Sequence, residues 1–136
     1  MKNNFDLIAG MAHDSRVFGF LFDSNYQTLK LNFILYIQLF GDFDSGKFSL
    51  EKAFLVFENT KISKLNITDD IYAGQFYITD IQTKQLENGE FIFEFNFNDS
   101  SIELTLIAEN LKLVQSGNVQ KEDIQFLNTN WMNLLH

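Results

Sequence analysis

Phe91-Ile92-Phe93-Glu94-Phe95-Asn96-Phe97 places a phenylalanine at every second position. Successive side chains of an extended chain point to opposite faces, so the four rings share one face of a strand. The residues that follow fix how this strand pairs. With Asn98 opposite Ser101 in a hairpin, Phe97 faces Ile102, Phe95 faces Leu104 and Phe93 faces Leu106. The other face then pairs Asn96 with Glu103 and Glu94 with Thr105. A slip of one residue would set Phe95 against Glu103 and bury a carboxylate.

The same alternation continues outward from this hairpin. Glu87-Asn88-Gly89-Glu90 is a turn that feeds the Phe strand. Upstream, Leu29, Leu31, Phe33, Leu35, Ile37 and Leu39 form one apolar face of a long strand. Its other face carries Lys30, Asn32, Ile34, Tyr36, Gln38 and Phe40; the far half is apolar on both sides, which predicts a central or covered position. Phe18, Phe20 and Phe22 share a face in a strand over 17–22, bounded by the turn clusters His13-Asp14-Ser15 and Asp23-Ser24-Asn25. Residues 41–46 read as a loop. A strand over 48–58 follows, with Ala53-Phe54-Leu55-Val56-Phe57 buried on both faces. Lys61–Ile67 and 74–81 are shorter strands of weaker alternation.

Both ends carry a helical period. Phe5, Ile8, Met11 and Ala12 are spaced for a short amphipathic helix, weakened by Gly10. After Ser116-Gly117-Asn118, Ile124, Leu127, Trp131 and Leu134 or Leu135 recur at three- and four-residue spacings. Glu122 and Asp123 fall in the first turn of that helix, where its dipole favours negative charge. The chain is therefore predicted to be one domain over 1–136, mainly β: an antiparallel sandwich or partly open barrel with a C-terminal helix and a short N-terminal one.

Composition narrows the function classes. The 136 residues are 46% hydrophobic and include sixteen phenylalanines, enough for a core and incompatible with intrinsic disorder. Cysteine is absent, which removes disulfides, thiol nucleophiles and thiolate metal sites. No secretory signal is visible, and the longest apolar stretch, 33–40, holds Gln38 and is too short to span a bilayer. A cytoplasmic location is the expectation. The net charge is −8, Arg16 is the single arginine among ten basic residues, and no two basic residues are adjacent. Nucleic acid and anionic membrane are disfavoured as partners, because both require clustered cations. A basic protein partner is favoured, since opposite fields speed encounter.

No motif carries catalysis. His13-Asp14-Ser15 holds the residue types of a hydrolase triad, but a triad needs spatial convergence and not adjacency; a turn or cap is the reading. Gly41-Asp42-Phe43-Asp44-Ser45-Gly46 departs from a calcium loop in ligand number and glycine position. Glu90, Glu94, Glu103 and Glu109 share a predicted sheet face, interrupted by Ile92, Asn96 and Thr105 as on an ordinary wetted surface. No metal, cofactor or catalytic residue is expected.

Two segments carry a resemblance. His13-Asp14-Ser15-Arg16-Val17-Phe18-Gly19-Phe20-Leu21-Phe22-Asp23 resembles the opening of a group of small bacterial β proteins. Ala53-Phe54-Leu55-Val56-Phe57-Glu58-Asn59-Thr60 resembles their middle strand. Proteins of this type resemble immunity proteins of polymorphic toxin systems, small acidic chains that neutralise a toxin by binding it. The resemblance covers the first half of the chain. Such relatives carry acidic residues in the long second strand, where Asn32 and an apolar run stand here, so no functional residue is carried over.

The resulting expectation is a non-catalytic inhibitor that occludes a basic toxin domain. Its candidate contacts are Asp42, Asp44, Asp69, Asp70, Glu94 and Glu103. Two further readings stand beside it: a small apolar ligand in a Phe-lined cavity, and a homodimer through a sheet edge.

Overall fold

The computed structural model describes residues 4–25, 27–44, 47–68 and 77–122. Among these residues one helix, α1 (Asn4–Ala12), precedes nine strands: β1 (Arg16–Asn25), β2 (Lys30–Asp44), β3 (Lys47–Glu58), β4 (Lys61–Ile67), β5 (Ile78–Gln85), β6 (Phe91–Phe97), β7 (Ile102–Ala108), β8 (Asn110–Gln115) and β9 (Gln120–Glu122). They form two antiparallel sheets. The first has the order β1-β2-β3-β8, with β9 also on β3; the second has the order β4-β7-β6-β5. The two pack face to face as a sandwich and do not close into a barrel.

Over Phe93–Phe95 the predicted hairpin register is the one adopted. Phe93 lies opposite Leu106, Glu94 opposite Thr105 and Phe95 opposite Leu104. The Asp99 carboxylate closes the turn by accepting from the Ser101 amide at 2.9 Å and the Ser101 hydroxyl at 2.6 Å. Those bonds hold the Asp99 carboxyl below its usual range. At the preceding turn, the Asn88 side-chain oxygen accepts from the Glu90 amide, and Gly89 takes a φ of 90°. Only glycine adopts that backbone without cost.

The two sheets are joined by a corner. β3 pairs with β8 from Ala53↔Gln115 to Glu58↔Asn110, and β4 pairs with β7 starting at Lys61↔Ile107. The step is continuous, so this is one antiparallel ribbon bent between Glu58 and Lys61, the usual way a strand changes sheets. Asn59 makes the bend with a φ of 49°, a conformation that asparagine tolerates better than other non-glycine residues. The Glu109 amide still bonds the Glu58 carbonyl at 3.0 Å, while Thr60 turns its amide to the Leu31 carbonyl of β2 at 2.6 Å. The buried Thr60 hydroxyl donates to the Phe57 carbonyl at 2.7 Å.

The core lies between the sheets. Phe33, Leu35, Ile37, Ala53, Leu55 and Phe57 face Phe93, Phe95, Leu104 and Leu106 from the opposite sheet. Phe57 is the hub, with ring centroids 6.4 Å from Phe33, 5.1 Å from Phe93 and 5.6 Å from Phe95. α1 covers one flank, packing chiefly on β5. Its Phe5 meets Phe91 and Phe93 edge-on, at 4.7 and 5.4 Å. The outer face of β2 is half-buried, as its apolar far half predicts. There Tyr36 meets Phe54 at 5.2 Å, and burial pushes its phenol pKa up.

Several expectations are corrected. The turn expected at 23–25 is the end of β1, which runs on to Asn25. The strand expected over 74–81 is β5, Ile78–Gln85, and 74–76 lie outside the described residues. Residues 41–44 are not loop but the end of β2, which pairs on through Phe43↔Phe48 and Asp44↔Lys47 after an irregularity beyond Phe40. There a side chain on Gly41 would sit 3.0 Å from the Ser49 Cβ, so the strands meet where glycine stands. Glu122, assigned to the start of a helix, ends β9 opposite Phe48. The remainder of the predicted C-terminal helix lies outside the described residues. The last concerns β1, where Phe18, Phe20 and Phe22 are expected on one face: Phe18 is the extra residue of a bulge, while Phe20 and Phe22 do share a face, and the bulge shapes the site.

Candidate apolar cleft between the sheets

Strict alternation puts Val17 and Phe20 on opposite faces of one strand. In the structure both face the interior, Val17 opposite Ile37 and Phe20 opposite Leu35, because a bulge between Val17 and Gly19 inserts Phe18 as an extra residue. β4 repeats the device. A bulge between Ile62 and Lys64 sets Ile62 opposite Leu106 and Leu65 opposite Leu104, so Ile62, Leu65 and Ile67 all point inward. β5 does the same between Ile78 and Asp80. Bulges re-aim side chains in this way, commonly at sheet edges.

Among the described residues, β1 and β4 are the outer strands of their sheets. Between them lies a cleft of about 320 Å³. β1 and β2 contribute Val17, Phe20, Phe33 and Leu35; the other sheet contributes Leu65, Ile67, Phe97, Ile102 and Leu104. Every described side chain that lines it is apolar. Its lips are unusually exposed for such residues: Phe20 is 42%, Leu65 39% and Ile67 42% accessible. Phe20 is held in place by stacking on Phe33 at 5.4 Å with the ring planes 17° apart, and Phe22 leans on both rings at 5.7 Å. Clustered exposed hydrophobics flanking a cleft mark an interaction site more often than scattered ones do.

A second depression of about 490 Å³ lies at the corner, on the outer face of the first sheet. It is polar and lined by Asp23, Lys30, Asn32, Glu58, Asn59 and Glu109 among others. Lys112 at 2.9 Å and Asn110 at 3.0 Å hold the Glu58 carboxyl below its usual range. The Asn59 side-chain amide donates to Glu109 at 2.6 Å. Asp23 has no cationic partner among the described residues.

Of the six acidic residues singled out from sequence, Glu94 and Glu103 have described side chains. Glu94 and Glu103 share the outer face of the second sheet, Glu94 opposite Gln82 and Thr105. Glu103 pairs with Lys64 at 2.7 Å, which draws its pKa down. The neighbouring Glu90 pairs with Lys61 at 3.2 Å and is lowered likewise. Asp42 and Asp44 lie on the last residues of β2, and Asp69 and Asp70 lie outside the described residues.

The adjacent His13, Asp14 and Ser15 form a turn, as expected. His13 and Asp14 pair at 3.3 Å in solvent, whereas Ser15 is fully buried and its hydroxyl has no partner among the described residues. The turn serves the backbone instead: Asp14, at φ 65°, donates to the Ile78 carbonyl, and the Ser15 carbonyl accepts from Ile78. No group of His, Asp and Glu able to hold a metal occurs among the described residues. No described helix is long and apolar enough to cross a membrane.

The cleft residues escaped sequence reasoning because they come from five strands. Sequence spacing does not single them out: apolar residues three apart occur at the bulges, as Val17 and Phe20, but also in regular stretches, as Phe54 and Phe57. No protein-family model, curated protein or solved structure matches this chain.

Proposed function

We propose that this chain is a non-catalytic binding protein, of the immunity-inhibitor kind, whose partner is a basic protein and whose cleft between β1 and β4 receives the partner's apolar anchor. The observation that carries the reading is that cleft. Two edge strands, each bulged, aim apolar side chains into one open depression, where burial of a partner's aromatic or aliphatic group would supply short-range affinity. The net charge of −8 supports a basic partner through long-range attraction. Occlusion needs no reacting group on this chain.

The wholly apolar lining favours one other reading, a free small apolar molecule held in the same cleft. Affinity purification from the source cells, with retained proteins identified by mass spectrometry, separates the two when repeated with Leu65→Asp and Ile67→Asp variants. A stoichiometric basic protein, lost with both variants, supports the proposal. A small-molecule adduct on the native protein, and no retained protein, supports the second reading. A retained protein indifferent to both substitutions overturns the placing of the site.

A further inference from the structure

We propose that the partner presents the anchor on an extended segment that adds to the outer edge of β1, with a basic residue three positions from the apolar one. This rests on the cleft being the binding site and goes on to say how an occupant is held there. Three observations meet on β1. It is the outer strand of its sheet, and among the described residues its other side is bridged only at Arg16, to Tyr77. Its inward face, at Val17 and Phe20, is one wall of the apolar cleft. Its outward face, at Asp23, lines the polar depression that also holds Glu58 and Glu109.

The cleft offers no polar side chain among the described residues to orient a free ligand, and pockets for small molecules normally supply a few such groups. An open strand edge supplies orientation differently. Main-chain hydrogen bonds fix an added strand, and its alternate side chains enter pockets on the two faces. The spacing follows from that alternation. A residue opposite Phe20 points inward, to the cleft. A residue opposite Asp23 points outward, to the carboxylate side. The two are three positions apart, an odd separation that puts them on opposite faces. Charge selects the second residue. Lys112 and Lys30 offset Glu58, and Asn59 holds Glu109, which leaves Asp23 to receive a lysine or arginine.

The test is selection from a phage-displayed library of random decapeptides against the full-length protein, followed by synthesis of the enriched sequence. The expected consensus has an aromatic or branched apolar residue three positions from a Lys or Arg. N-methylation of alternate amides should weaken binding by more than about tenfold, with the intervening amides tolerant. Asp23→Lys, an exposed substitution, should weaken binding by at least about threefold. Enriched peptides that need Leu65 but show no parity in N-methylation would overturn strand addition and leave the cleft as the site. Peptides indifferent to Leu65→Asp, or no enrichment, would overturn both. Self-association of the protein through this edge, seen by light scattering, would replace the foreign segment with a second copy and likewise overturn the proposal.

Discussion

Phe57→Ala is the substitution that should damage the sandwich most for a single residue. Phe57 is fully buried on β3, one step before the corner, and its ring touches Phe33 in its own sheet and Phe93 and Phe95 in the other. Truncation removes the transfer energy of the ring and leaves a cavity whose walls belong to two sheets joined at the corner, so collapse is limited. Such changes cost about 3–5 kcal/mol, and the three lost ring contacts place this one in the upper half of that range. In a domain of this size the melting temperature should fall by about 10–20 °C. Phe57→Leu, which keeps most of the volume, should cost about 1–2 kcal/mol. Phe22→Ala serves as the control: that ring is 46% exposed and should cost about 1 kcal/mol. Urea unfolding followed by far-UV circular dichroism, with an unchanged slope, gives all three values. A loss for Phe57→Ala no larger than that for Phe22→Ala would refute the placement of Phe57 between the sheets.

The corner and the polar contacts give three more expectations. Asn59→Val puts a branched residue at a φ of 49° and should cost about 1–2 kcal/mol in the same assay, with Asn59→Gly milder; equal costs would argue against a left-handed bend. Glu51 is buried and accepts from the Gly117 amide at 2.8 Å and from Gln115 at 3.2 Å, so Glu51→Ala should speed hydrogen exchange of the Gly117 amide and cost about 1.5–3 kcal/mol. Protected exchange at Gly117 in that variant would contradict the contact. The Glu58 carboxyl is held below its usual range by Lys112 and Asn110, so the folded chain binds this proton less readily than the unfolded one. The stabilisation is complete above the unfolded carboxylate value of about 4.3 and is lost as pH falls through the lower folded value. The urea midpoints of wild type and Glu58→Gln should therefore converge below about pH 4; a gap independent of pH would refute the linkage.

Parity carried the sequence reading where strands are regular. The β6–β7 register followed from four phenylalanines and the cost of burying Glu103, and the Lys61–Ile67 strand has the bounds read from sequence. Parity failed at the β1 bulge, because one inserted residue, Phe18, moves every later side chain to the other face. The corner was not legible either. Asn59 and Thr60 separate two strands in sequence, yet the ribbon they bend keeps its register across the corner, which depends on a partner some fifty positions away: Asn59 bonds Glu109. Residues 41–44 looked like loop from Gly41 and two aspartates; pairing with β3 made them strand. The acidic candidates were chosen by charge, which says nothing about placement. Glu103 illustrates the consequence, since the lysine that pairs with it comes from a different strand.

The cleft between β1 and β4 is the central claim, and methyl-resolved NMR tests it most directly. Titration with N-phenyl-1-naphthylamine, a neutral apolar probe, should shift the methyl signals of Val17, Leu35, Leu65, Ile67, Ile102 and Leu104 together. Leu7 and Val119, exposed at 57% and 55% and not part of the cleft lining, should stay still. Shifts confined to Leu7 or Val119, or none at saturating probe, would contradict the cleft as a binding site.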